Sequence, residues 1–201
     1  MTMTQDRAAD ASFTAARRAM IDSQLRTSGV NEPWVLAAMA ALPREDYVPE
    51  SVKAQAYSDR AVPLGEGRFL AAPLVHGKIL AQAAPEAADT ALLISSGSSY
   101  LEALLRPLVG SLTVVDAGAV ADGISGGPYS LIVVDGAAEE LPTSVAAALA
   151  DDGRIVTGVV DRAVTRLATG RKAAGALALL TVSDLGIPAI PEFAAPKRWS
   201  F

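Results

Sequence analysis

Apolar residues recur with a helical period at the start of the chain. Between positions 13 and 27 they fall every three or four residues, and Gly29 follows as a stop signal. A second helix is predicted from Asn31, which can cap it, with Pro33 in the first turn, where a missing N–H costs nothing. Pro43 ends this helix, so two amphipathic helices are expected to open the fold.

The spacing of apolar residues changes along the middle of the chain. Residues 44–73 are interrupted by prolines and glycines and are expected to be loop with short helical or extended pieces. A third helix is predicted from Pro73 to about Ala84. After Pro85 come short, continuously apolar runs, which are typical of buried parallel strands. Four such runs are predicted strands: Ala91–Ile94, Leu112–Val115, Leu131–Val134 and Arg154–Val159.

Helical stretches between these strands define the fold class. They are predicted at Tyr100–Leu108 and Pro142–Ala150, so the order is that of βαβ units in an α/β, doubly wound parallel sheet. Two later segments, Val164–Arg171 and Ala176–Val182, flank an Ala-Ala-Gly turn and predict a C-terminal antiparallel hairpin at the sheet edge.

The same change of period predicts two regions. Residues 1-84 form an N-terminal helical extension and residues 85-201 form a Rossmann-like domain, the two packing as one compact unit.

Composition excludes several classes of protein. Of 201 residues, 51% are hydrophobic and 19% charged, which excludes an intrinsically disordered chain. With no cysteine and a single histidine, His76, the chain lacks the ligands for Fe–S clusters or a His-based metal centre. The net charge of −5 argues against an electrostatic grip on nucleic acid. The start MTMTQDRAADASF has no apolar core of signal-peptide length and no apolar run reaches membrane length, so we expect a cytoplasmic protein without nucleic-acid, membrane or metal partners.

The turn after the first strand is the first candidate for chemistry, because doubly wound sheets bind ligands beyond the carboxyl ends of their strands. It contains one glycine, Gly97, among serines, and glycine lets a backbone approach a nucleotide. An ordinary turn capped by Ser98 or Ser99 accounts for the pattern equally well.

Asp116 ends the second strand, where such folds place an acid against ribose hydroxyls; the alternative is a solvated loop residue.

Other polar and aromatic residues receive plainer interpretations. Asp135, at the end of the third apolar run, lines a substrate cleft or caps a loop. His76 is expected to be a partly exposed histidine on the third helix. Trp199 and Phe201 are expected to anchor the C-terminus by packing. A solvated helix face is expected for three arginines: Arg17, Arg18 and Arg26.

Several segments together carry a family resemblance. The stretch RRAMIDSQLRTSGVNEPWVLAAMAALPREDYVPE resembles the amino-terminal region of protein-L-isoaspartate O-methyltransferases, and AYSDRAVPLGEGRFLAAP resembles their next motif. PYSLIVVDGAAEELP and LADDGRIVTGVVDR look like the family's fourth and fifth strands. The resemblance covers about residues 13–170. It implies a methyltransferase-type Rossmann fold, S-adenosylmethionine as cofactor, and methyl transfer to isoaspartyl carboxylates in damaged proteins or peptides.

Carried over position by position, the resemblance departs from the family where the cofactor would bind. The family loop, acid-x-Gly-x-Gly-x-Gly, falls on Leu93, Ser95, Gly97 and Ser99. The two active-site hydroxyl positions of the family are Phe69 and Ala71 here, so both hydroxyls are lost. Asp116 matches the acid after the second strand. The substrate cleft is expected at Asp59, Arg68 and Asp135.

The middle of the chain is too short for the whole family sheet. Only Ala117–Pro128 separates Asp116 from Tyr129, whereas each parallel crossover takes about a dozen residues. The third strand is therefore expected to be absent, which leaves Leu112–Val115 as an uncharged edge. Such an edge invites pairing. We expect a homodimer or hetero-complex there, unless the first helix or the 117–128 loop covers the edge.

Two functions follow from these observations. The first is a working S-adenosylmethionine-dependent carboxyl methyltransferase. The second is a pseudoenzyme derived from that family, which binds a protein or peptide or serves as an assembly subunit. The altered loop, lost hydroxyls and missing strand predict that cofactor binding and catalysis are impaired or lost.

Overall fold

A computed structural model of the protein describes residues 3–196. Trp199 and Phe201, predicted to be packing anchors, lie outside the described residues. Helix α1 (Met3–Met20) continues through a π-helical turn (Ile21–Leu25) and a 3₁₀ turn that Gly29 ends in a left-handed conformation. Helix α1 begins ten residues before the predicted Phe13, and the predicted end near Thr27 falls in the 3₁₀ turn before Gly29.

Helix α2 (Pro33–Ala41) has Pro33 in its first turn as predicted, but Glu32 rather than Asn31 is the capping residue. The irregular segment that follows contains two 3₁₀ helices, Arg44–Tyr47 and Glu50–Gln55, and a small hairpin. Strands β1 (Val62–Gly65) and β2 (Arg68–Leu70) form that hairpin. Helix α3 (Pro73–Ala83) follows as predicted, and Ala84 ends it with a positive φ.

All the predicted strands form, each somewhat longer than its apolar run, and the two predicted helices between them are confirmed. The strands are β3 (Thr90–Ser95), β4 (Ser111–Asp116), β5 (Tyr129–Ala138), β6 (Leu149–Asp161), β7 (Val164–Ala173) and β8 (Ala176–Asp184). The helices are α4 (Tyr100–Leu105) and α5 (Thr143–Ala148). The sheet order is β4-β3-β5-β6-β7-β8, parallel through β6 and antiparallel for the β7–β8 hairpin.

The family's third strand has no counterpart between β4 and β5. Residues Ala117–Asp122 form a 3₁₀ helix, and the chain then returns directly to β5. Because β3 already lies between β4 and β5, β4 is an edge of the sheet, as predicted. All six of its side chains are exposed or partly exposed, whereas four of the six in β3 are buried.

Two apolar layers cover the sheet. One packs the helices of the first 84 residues on β3 and β5 and joins Leu25 and Leu80 to Leu93 and Val133. The other contains Ile190 and Phe193 near the C-terminus. Residues from both sides of position 84 contribute to one core. The division of the chain at that position stays a prediction. The layers leave the carboxyl ends of β3, β4 and β5 at one side of the molecule, where the candidate site lies.

Candidate functional site

The serine-rich turn after β3 uses its polar groups on itself. The Ser95 hydroxyl accepts a hydrogen bond from Gly97 N (3.2 Å) and donates one to the carbonyl of Ser98 (3.1 Å). Ser98 Oγ accepts from Tyr100 N (3.2 Å), so Ser98 rather than the exposed Ser99 caps the helix by its side chain. Ser96 Oγ donates to the carbonyl of Asp135 (2.6 Å). Two backbone N–H groups of this turn, those of Gly97 and Tyr100, therefore have partners within the turn itself.

Arg68 lies over this turn. A Cβ placed on Gly97, whose φ is +104°, would lie 3.2 Å from Arg68 Cγ. The guanidinium forms a bidentate pair with Glu192, at 2.5 and 3.1 Å, and lies 3.8 Å from Asp116 Oδ1. Asp116 itself accepts from Gly118 N (2.8 Å), which caps the following 3₁₀ turn. The Asp116 carboxylate therefore caps the 3₁₀ turn and faces the guanidinium of Arg68.

Residues 187–195 cross the carboxyl ends of the strands, and we call this segment the strap. Ala137 at the end of β5 donates to the carbonyl of Pro188 and accepts from Ile190 N, both at 2.8 Å. A Cβ on Gly136 would lie 2.5 Å from Ile190 Cγ1, so glycine is required for this close approach. Farther along, the carbonyl of Phe193 accepts from two successive backbone N–H groups, those of residues 139 and 140.

The strap and Arg68 fill the place where a ligand of this fold would lie. Between them is a cavity of about 10 Å³, room for no more than a single water. Its walls are Gly67, Arg68, Phe69, Ser96, Pro188, Ala189 and Pro191. A cofactor-sized ligand needs roughly 300–1,000 Å³. This cavity is therefore too small for the cofactor that the resemblance implies.

The structure places the remaining predicted site residues apart from one another. Ala71 is buried, and its carbonyl accepts from the Arg44 guanidinium. Phe69 is 39% exposed beside the strap. Asp59 is exposed in the turn before β1. Neither former hydroxyl position presents a polar side chain to the cleft, and Arg68 is the cleft residue that makes ionic contacts.

Asp135 and His76 form a buried polar chain with Arg44. Each of the three side chains is almost completely enclosed, so the expectation of a partly exposed His76 is wrong. Arg44 Nη1 lies 3.0 Å from His76 Nδ1, and His76 Nε2 lies 3.1 Å from Asp135 Oδ1. Arg44 also donates to the carbonyl of Ala56 (2.7 Å). The chain joins the 44–57 segment, α3 and β5.

The hydrogen-bond partners of His76 determine which of its ring nitrogens carries the proton. A guanidinium can only donate, so Nδ1 of His76 accepts and the Nε2–H donates to Asp135. Burial lowers the pKa of His76 below its ordinary 6.5, Asp135 opposes this, and Arg44 reinforces it. Because both ring nitrogens are engaged, the imidazole cannot act as the base of a serine nucleophile. Asp135 Oδ2 and the Tyr100 hydroxyl are buried without a hydrogen-bond partner among the described residues.

Arg17 belongs to a second cluster and is not the solvated residue that was predicted. Its guanidinium donates to Tyr57 Oη (2.7 Å) and Glu45 Oε1 (3.0 Å), and the Tyr57 hydroxyl bonds Glu45 in turn. Burial and the hydrogen bond to Glu45 raise the pKa of Tyr57 to about 12. This cluster ties α1 to the 44–57 segment. Arg18 and Arg26 are exposed as expected.

Sequence reasoning missed Arg44 and Glu192. At positions 44–46 an arginine precedes two acids in a segment between Pro43 and Pro49, and this pattern gives no sign that Arg44 is buried. Glu192 gives no local signal, because its partner Arg68 lies 124 positions away. Among the side chains of residues 11–196, no group of three or more acidic, histidine or cysteine residues could hold a metal ion. None of the described helices is long and apolar enough to span a membrane.

Comparisons with known proteins agree with the resemblance. The family model for protein-L-isoaspartate(D-aspartate) O-methyltransferase matches residues 15–122. Protein-L-isoaspartate O-methyltransferase 1 of Rhodopseudomonas palustris is 32% identical, with 78% of this chain and 74% of the relative covered. The corresponding enzyme of Methanoregula boonei is also 32% identical, over 74% and 80% of the two chains.

A solved structure shares the fold. A putative protein-L-isoaspartate O-methyltransferase from Plasmodium falciparum, crystallised with S-adenosyl-L-homocysteine, superposes with a TM-score of 0.71 at 16% identity. The superposition covers 88% of this chain and 98% of that one. Sequence and fold together establish that this chain belongs to the protein-L-isoaspartate O-methyltransferase family.

Proposed function

We propose that this protein is a non-catalytic member of its family, which binds a protein or peptide through the former active-site face and does not transfer methyl groups. The observation that carries the proposal is the filled cleft: Arg68 and Glu192 pair across the place of the cofactor and leave about 10 Å³.

Three independent features support the loss of cofactor binding. The family acid is replaced by Leu93, which is fully buried in the core between β4 and β5. The hydroxyl of Ser95 takes up Gly97 N, which would otherwise face a ligand. The two active-site hydroxyls of the family are replaced by Phe69 and Ala71. Alignment carries most of the rate in a reaction whose carboxylate nucleophile needs no base, so restoring one hydroxyl would not restore activity.

The second candidate is the family reaction itself, methyl transfer from S-adenosylmethionine to isoaspartyl carboxylates. The family match over residues 15–122 favours it. It requires the strap and Arg68 to leave the cleft before the cofactor enters.

A methyl-transfer assay separates the two candidates. The full-length protein is incubated with S-adenosylmethionine labelled in the methyl group and an isoaspartyl peptide. We expect no transfer above the no-enzyme control, from the native protein, from Ala71→Ser or from the neighbouring control Ala72→Ser. Labelled peptide ester formed by the native protein would favour the second candidate.

We also propose that β4 pairs with a second copy of the chain. The strand ends the sheet and carries no charge before Asp116. An unprotected edge of this kind offers unpaired N–H and C=O groups to another strand.

A further inference from the structure

The strap contacts the cleft in the way a bound peptide would. Ala137 hydrogen-bonds the strap backbone on both sides of Ala189, at 2.8 Å each. These bonds form a single parallel bridge at the end of β5, which lies between β3 and β6, and main-chain bonds of this kind also hold extended peptides on proteins. Three apolar strap side chains are 2–3% exposed and act as anchors: Ile187, Ile190 and Phe193. The backbone hydrogen bonds fix where the strap lies on β5. A competing peptide would have to place apolar side chains where these three anchors lie.

A carboxylate is the polar anchor of the same segment. Both oxygens of Glu192 meet the guanidinium of Arg68, in the bidentate geometry that selects carboxylates. The Arg68 side chain is 23% exposed and the Glu192 side chain 31% exposed, so water reaches this pair. A solvated ion pair exchanges partners more readily than a buried one. Arg68 is thus accessible to a carboxylate from another molecule.

We propose that the cleft is a receptor for an extended peptide in which a carboxylate follows proline and apolar residues. The strap occupies this receptor within the same chain until such a peptide from another protein replaces it. The inference rests on the proposed function, because a cleft that held the cofactor would have no room for either peptide.

An apolar surface beside the strap is left uncovered. An open, largely apolar cavity of about 230 Å³ lies beside it, lined by Phe69, Thr165, Ile187 and Pro188 among others. A partner peptide that extends past the position of Ile187 would cover this surface, which the strap leaves open. Pro188 and Pro191 restrict the backbone of the strap, and a proline-containing partner would have the same low ordering cost.

Fluorescence anisotropy with a labelled peptide tests the proposal on the full-length protein. The probe is LGIPAIPEFAAP, the sequence of residues 185–196. Glu192→Gln in the protein weakens the internal strap while Arg68 remains, so the probe should bind this variant at least fivefold more tightly than it binds the native chain. Glu66→Gln, in the turn before Arg68, is the matched control and should bind like the native chain. A hydrogen bond to a charged group is worth on the order of tenfold or more. The double variant Arg68→Ala, Glu192→Gln should therefore bind the probe about tenfold more weakly than Glu192→Gln does. A probe in which glutamine replaces the glutamate that corresponds to Glu192 should lose a similar factor.

The proposal is overturned if the probe binds none of the proteins at millimolar concentration, or binds equally well with and without Arg68. Two further arms separate the alternatives. Displacement of the probe by S-adenosylhomocysteine would refute the proposed function while leaving the peptide site in place. Light scattering of Glu192→Gln without probe should give the same mass as the native chain; a higher mass would show that the strap of a second copy, and not a partner, is the ligand.

Discussion

His76 makes the stability of this protein sensitive to mild acid. It is the only histidine, it is fully buried, and it is held neutral between the donor Arg44 and the acceptor Asp135. Tyr100, whose ring lies 5.3 Å from the imidazole, is the other titratable group against it, and burial raises its pKa further above this range. Protonation would break the bond to Arg44 and place two cations side by side.

The sign and size of the effect follow from proton linkage. Since the pKa of His76 is lowered by folding, the unfolded chain takes up the proton first, and stability falls as the pH drops below about 6.5. The loss cannot exceed that of one proton taken up by the unfolded chain alone, about 1.4 kcal/mol between pH 7.5 and 5.5. With an m value of roughly 1–3 kcal/mol/M, the urea midpoint should fall by no more than about 0.5–1.4 M.

Urea unfolding followed by far-ultraviolet circular dichroism at both pH values measures this shift. The matched control is His76→Asn, whose amide oxygen can accept from Arg44 and which does not titrate. Its midpoint will be lower at pH 7.5 but should move little on acidification. The reasoning is refuted if the native midpoint does not change between pH 7.5 and 5.5, or if the imidazole of the folded protein titrates at 6.5 or above by NMR.

Three further outcomes follow from the described contacts. Asp135→Asn weakens the buried hydrogen bond from His76 and removes a negative charge that favours the Arg44 cation, so urea unfolding should show a loss of about 1–3 kcal/mol, against under about 1 kcal/mol for Asp184→Asn, an exposed paired carboxylate. Arg154→Ala should cost about 2–4 kcal/mol by the same measurement, because it strips a buried carboxylate of its ion pair and α3 of two carbonyl contacts. If β4 pairs with a second copy, size exclusion with light scattering should give a dimer at tens of micromolar, and Thr113→Pro should reduce it to a monomer; a native monomer contradicts this prediction.

The fold could be predicted from sequence because its signals are local. Short apolar runs specify the strands, and the twelve residues Ala117–Pro128 are too few for another strand with two crossovers. The structure bears out both. Helix boundaries were less certain, since the start of α1 carries no periodic apolar face.

The site could be predicted only in part because its decisive contacts are not local. The altered loop at Ser95 and Ser99 is visible in the sequence, but the strap that fills the cleft is not, since Glu192 meets Arg68 across 124 positions. The sequence predicts a partly exposed His76 because periodicity does not report the partners that satisfy a buried imidazole. Those partners, Arg44 and Asp135, come from two other parts of the chain.

Titration calorimetry of the full-length protein with S-adenosylhomocysteine tests the central claim, that the cofactor cleft is filled by the chain itself. A catalytically active member of the family serves as the positive control under the same conditions. We expect no saturable heat up to millimolar ligand, because the space between Arg68 and the strap is about 10 Å³. Saturable one-to-one binding in the micromolar range would contradict the account.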